Sequence, residues 1–78
     1  MITLFEVLKI LQAGKTVELR FNLNCHVYSR HALTLDDGVI KDESFVDGSV
    51  TRSTIEEYSR GFYAEAFSKQ AVRLLEVY

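Results

Sequence analysis

The sequence predicts one small α+β domain, a three-stranded antiparallel β-meander with helices on one face, in the order α-β-β-β-α(α). Three observations carry that expectation. Leu4, Val7, Leu8 and Leu11 recur at the spacing of one helix face. Val17, Leu19, Phe21 and Leu23 then alternate with polar residues, the period of a strand with one wet face. Asp36-Asp37-Gly38, set between apolar neighbours, is the composition of a tight hairpin turn. A chain of 78 residues has room for one core and no linker. Its 47% hydrophobic and 26% charged residues argue against a disordered chain.

Local chemistry bounds the elements. Thr3 and Glu6 form a capping box that opens the first helix, and Gly14 supplies its stop. Glu6, Lys9 and Gln12 leave only a narrow polar stripe, so most of this helix is expected to be buried. Phe5, beside that stripe, is expected to be covered by a loop or strand. The first strand starts at Thr16, and Asn22 to Asn24 offers a turn. A second strand runs from Cys25 to Leu35, with Val27, Ser29, His31, Leu33 and Leu35 on one side and a bulge near Ser29. After the hairpin, Val39 to Val46 returns, and Asp47-Gly48-Ser49 ends it. The last helix begins at Ser53 or Thr54, where Ser53/Glu56 and Thr54/Glu57 are overlapping capping boxes. Ile55, Tyr58, Phe62 and Ala66 form its apolar face. From Phe67 onward the face moves by about 120°, onto Phe67, Ala71, Leu74, Leu75 and Tyr78. The helix therefore kinks near Ser68, or a second helix follows, or Val72 to Val77 becomes an edge strand. Helix is the expectation for this stretch.

Composition excludes several functions. A net charge of −2 argues against a nucleic-acid coat protein, and no apolar run is long enough to span a bilayer. The Met1 end lacks the basic and apolar regions of a signal peptide, and one cysteine, Cys25, fits a reducing cytosol; a cytoplasmic location is expected. Cys25, His26 and His31 are the only soft ligands. Neighbours on a strand point to opposite faces, so no metal site and no cofactor are expected. Gly14-Lys15-Thr16 has the composition of a phosphate loop but closes a helix and opens a strand, the reverse of that motif's context. A pairing of Cys25 with His31 lacks the strained turn and oxyanion donors of a nucleophilic site, so no catalytic residue is assigned.

Charge is distributed unevenly. Residues 1–35 carry +2, residues 36–57 carry −5, and residues 58–78 carry +1. Turn and helix-dipole roles account for Asp36, Asp37, Asp47, Glu56 and Glu57. They account less well for Asp42 and Glu43, which burden a strand with poor strand formers. The alternative is an exposed acidic cluster of Asp36, Asp37, Asp42, Glu43 and Asp47 that docks onto a basic surface of a larger protein, with Phe45 and Tyr28 as aromatic anchors. Tyr63 and Phe67 flank the helix core row and are candidates for self-association. Direct nucleic-acid and membrane contact are not expected.

The segment Leu4 to Val17, LFEVLKILQAGKTV, resembles the opening of the phage anti-Thoeris sponge proteins, homo-oligomers that sequester a cyclic-nucleotide-like signal. That resemblance implies a homo-oligomer holding a small anionic ligand, for which Lys15, Arg20 or Arg30 beside Tyr28 are the candidates by charge. The Arg and Trp that usually follow in that family have no counterparts near Arg20, so no ligand residue is carried over. In size, acidity and element order the chain also looks like phage anti-CRISPR proteins, which block the nucleic-acid or partner surface of a defence complex. A non-catalytic inhibitor or adaptor is the function this implies.

Overall fold

Thr3 opens the first helix as its capping box requires. Its hydroxyl accepts the Glu6 N–H at 3.1 Å, and the Glu6 carboxylate accepts the Thr3 N–H at 3.1 Å. The computed structural model describes residues 2–24 and 27–78, with side chains included except at Leu23, Asn24, Val27 and Tyr28. Helix α1 (Leu4–Gln12) leads into strands β1 (Val17–Asn24), β2 (Val27–Asp36), β3 (Val39–Ser44) and β4 (Val50–Thr54). Helices α2 (Ile55–Arg60) and α3 (Phe62–Ser68) follow, then strand β5 (Val72–Val77). All neighbouring strands are antiparallel, in the order β4-β3-β2-β1-β5.

Register explains which face is buried. Val17 lies opposite Leu33, Leu19 opposite His31 and Phe21 opposite Ser29, while Leu33 lies opposite Asp42 and Leu35 opposite Ile40. Paired residues share a face, so one side of the sheet collects Val17, Leu19, Phe21, Leu33 and Ile40, all fully buried. Val7 and Leu11 of α1, Tyr58 of α2, and Ala66 and Phe67 of α3 complete that core. Phe21 is its centre, with ring centroids 4.7 Å from Tyr63, 5.7 Å from Phe67 and 5.1 Å from His31. Such ring pairs add roughly 0.5–1.5 kcal/mol each beyond area burial. The opposite face carries Glu18, Arg20, Arg30, Lys41, Glu43 and Arg52.

The α+β class and the meander with one helical face stand, but the sheet has five strands rather than three. Val50 to Thr54, VTRST, has no apolar alternation; it is a strand because it pairs along β3, from Val39↔Thr54 to Glu43↔Val50. Val72 to Val77 is the edge strand rather than the expected helix. Gln70, with φ +57°, turns the chain out of α3, and β5 fills the free side of β1. Both Leu74 and Leu75 fit there because β5 carries an extra residue, with Glu18 opposite Glu76 but Leu19 opposite Leu74. The β1–β2 irregularity falls between Asn22 and Asn24 rather than near Ser29. The turn expected over Asn22 to Asn24 is strand as far as it is described.

The helical segment breaks at Gly61, not near Ser68. Gly61 sits in extended backbone as the end of α2 and the start of α3. That break rotates the second half, so Tyr63 and Phe67 turn toward the sheet and Phe62 is left in solvent. Phe5, expected to be covered, is likewise exposed, with the Lys9 ammonium over its ring at 5.5 Å from the centroid. Among the described residues no helix is long and apolar enough to cross a membrane.

Candidate functional site

The expected acidic cluster does not form. Asp36 and Asp37 sit at the β2–β3 turn, where Asp37 (φ +52°) and Gly38 (φ +77°) take the two left-handed positions of a type I′ hairpin. Asp47 is in the β3–β4 loop, at the other end of β3. About 3.3 Å per residue puts the two turns roughly 20 Å apart. Thr54 pairs with Val39, so Glu56 and Glu57 lie near Asp36 and Asp37, far from Asp47. Glu57 there caps α2 through the Thr54 N–H at 2.9 Å, and Glu56 pairs with Arg60 at 3.3 Å. Glu43 stands on the uncovered face. Asp42, one residue before it, therefore points into the core.

Asp42 is buried because it has a partner there. Its Oδ1 lies 2.6 Å from His31 Nδ1, with the two side chains 6% and 3% exposed. His31 Nε2 is in direct hydrogen-bonding contact with the Ser29 hydroxyl. An ionised carboxylate only accepts, which puts a proton on Nδ1 and leaves Nε2 to accept from Ser29. The rings of Phe21 and Tyr63 close over the imidazole edge to face. Burial and the charge of Asp42 push the Tyr63 phenol up, while a hydrogen bond with Ser29 pulls it back. Burial first, and then Asp42, push the Tyr58 phenol far up, and its hydroxyl finds no partner among the described residues.

Serine on Nε2 and carboxylate on Nδ1 is the order of a nucleophilic triad. Here the serine is buried on a strand beneath Tyr63, so the geometry serves the sheet: a one-residue slip of β3 would put Glu43 against His31 in place of Asp42. The network was missed as a unit, although its parity was visible: His31 alternates with Leu33, and Asp42 with Ile40, so each is a polar residue on an apolar face. His31 is thus committed to Asp42 and Ser29 rather than to Cys25. Cys25 and His26 lie outside the described residues, and among the described ones no group of three His, Cys, Asp or Glu side chains could hold a metal.

The remaining anchors divide. Phe67 is buried against Phe21, and Tyr63 is partly buried against Phe21 and His31, so the expected self-association surface is core-facing. The Tyr28 side chain lies outside the described ones. Arg30 is engaged with Glu18 at 2.5 Å, and Arg20 lines a cavity that Glu6 also lines. Lys15 is exposed, in the connection between α1 and β1.

Phe45 is 49% exposed, and Val46 and Val50, beside it on the same hairpin, are 71% and 42% exposed. The β3–β4 loop presents them from a hydrogen-bonded frame. Phe45 N–H donates to the Arg30 carbonyl at 2.9 Å, Gly48 N–H to the Ser44 carbonyl at 2.9 Å, and Ser49 N–H to the Asp47 carboxylate at 2.9 Å. The Arg30 guanidinium lies 5.1 Å from the Phe45 ring centroid. Ser49 N–H, and secondarily its hydroxyl, hold the Asp47 carboxyl below the usual carboxylate range. No family model, curated protein or solved structure matches this chain.

Proposed function

We propose that the protein is a non-catalytic cytoplasmic binding module that docks onto a larger protein through the β3–β4 end of its sheet. The observation that carries this reading is the exposed apolar tip of Phe45, Val46 and Val50 on one hairpin, framed by backbone hydrogen bonds. An exposed aromatic held by backbone bonds and a guanidinium costs little ordering entropy on binding, which is what a hot-spot anchor requires. Asp47 beside the tip favours a partner with a basic group next to its apolar pocket, the remnant of the acidic surface that the sequence suggested. Inhibition or adaptation would then come from occupying a surface. A tagged chain used as bait in its native cell tests the idea against its own variants. Phe45→Ala/Val46→Ser should abolish recovery of a partner that Asp36→Ala/Asp37→Ala still recovers, with circular dichroism confirming that both fold. Equal recovery by both variants would overturn the assignment of the tip.

A further inference from the structure

Strand β5 ends the sheet, with β1 on one side and, among the described residues, no strand on the other. Its apolar residues are not sealed: Leu74, Leu75 and Val77 are each 38% exposed. The opposite edge, β4, instead presents Thr51, Arg52 and Ser53. We propose that β5 pairs antiparallel with β5 of a second copy, about a two-fold axis between Leu74 and Leu75, joining two five-stranded sheets into one of ten strands.

The sequence VRLLEV is self-complementary in that arrangement. Val72 meets Val77, Arg73 meets Glu76 and Leu74 meets Leu75, each contact occurring twice by symmetry. In a regular strand this register would fail, because residues of opposite parity point to opposite faces. The extra residue in β5 repairs it. Arg73 is opposite Arg20 and Glu76 opposite Glu18, so both stand on the uncovered face. Val72 is opposite Phe21 and Val77 opposite Val17, so both stand on the helix face.

Backbone direction agrees. Thr16 and Tyr78 exchange both of their hydrogen bonds, at 3.2 and 2.8 Å, and the Ala71 carbonyl accepts the Asn22 N–H at 2.8 Å. Alternation along an antiparallel ladder then aims the polar groups of Arg73 and Glu76 at β1, and those of Val72 and Val77 outward. The proposed register makes Val72 and Val77 a hydrogen-bonded pair across the two-fold. It makes Arg73 and Glu76 a non-hydrogen-bonded pair, the closer of the two classes for side chains.

Charge supplies the remaining argument. Within one copy Arg73 faces Arg20 and Glu76 faces Glu18, like charges directly across a strand pair, which destabilise. Among the described residues neither Arg73 nor Glu76 has an ion-pair partner. A second copy gives each the opposite charge.

Sedimentation equilibrium of the whole chain over a concentration series tests the pairing. The wild type should dimerise, and added salt should weaken it. Arg73→Glu alone and Glu76→Arg alone should each weaken dimerisation at least about tenfold, since each sets like charges across the two-fold twice. Both place opposite charges across β1–β5 within one copy, so a folding defect is not expected, and circular dichroism checks it. Mixing the two single variants should restore a dimer, as should the double swap Arg73→Glu/Glu76→Arg. A monomeric wild type at every concentration overturns the proposal. So do single reversals that dimerise as well as the wild type, or a mixture that stays monomeric.

Discussion

Asp42→Ala is expected to be the most damaging single change of an acidic residue in this chain. His31 would keep its place in the core, with a side chain only 3% exposed, but its Nδ1 would lose the carboxylate 2.6 Å away. Leaving a buried N–H of the neutral imidazole without its acceptor costs about 1–3 kcal/mol. A domain of 78 residues has roughly 4–12 kcal/mol in total, at about 0.05–0.15 kcal/mol per residue. The variant should therefore lose a sizeable share of its stability, with a melting temperature lowered by at least about 4 °C. Asp36→Ala, on the exposed turn, should stay within about 0.5 kcal/mol of the wild type. His31→Leu/Asp42→Leu should recover most of the loss, because apolar side chains of similar size need no partner. Urea unfolding followed by circular dichroism measures all three at one protein concentration, since a dimer would stabilise only the folded chain. A loss below about 1 kcal/mol for Asp42→Ala would show that the pair is not the buried, mutually dependent unit described above.

Two further outcomes are expected. Tyr58→Phe removes a buried hydroxyl that has no partner among the described residues, so it should raise the urea midpoint by the equivalent of about 1 kcal/mol; a fall would mean that the hydroxyl is satisfied. The Asp47 carboxyl, held below its ordinary value of 3.8, contributes loop stability that is fully present above that value and is lost as pH falls through the lowered native value. An NMR titration should therefore place the Asp47 midpoint below 3.8, with the Ser49 amide moving in step, and a midpoint at or above 3.8 would refute the Ser49 contact.

What could be read from the chain was local. The Thr3/Glu6 box, the Val17 to Phe21 alternation and the Asp37-Gly38 turn each specify their conformation within a few residues, and all three are present. Of the two overlapping boxes, Thr54/Glu57 is the one used, because β4 holds Ser53 in the ladder opposite Ile40. What could not be read depended on distant partners. VTRST has no strand pattern of its own. VRLLEV carries a helical stripe that loses to the free edge of β1. The phase change in the aromatic helix was visible, but its position was not: Gly61 breaks it, which exchanges Phe62 for Tyr63 and Phe67 in the core. The acids scatter for the same reason. A run of like charges is close in sequence, and a hairpin sends successive members to opposite ends and opposite faces.

Arg30 ties the two proposed surfaces together. Glu18 lies directly across from Glu76, and β5 tolerates that because both Glu18 oxygens are taken, Oε2 by Arg30 at 2.5 Å and Oε1 by the Tyr78 hydroxyl at 3.0 Å. Arg30 first, and then Tyr78, hold the Glu18 carboxyl below its usual range against the opposing effect of burial. The same ion pair fixes the guanidinium beside the Phe45 ring. One carboxylate therefore both absorbs charge next to β5 and steadies the aromatic of the tip. A partner that drew Arg30 away from Glu18 would leave Glu18 and Glu76 unscreened beside the two-fold, and the Arg73 of a second copy would then be drawn in more strongly, so the pairing of β5 would strengthen. Linkage makes that reciprocal: pairing of β5 would favour the same partner by an equal free energy.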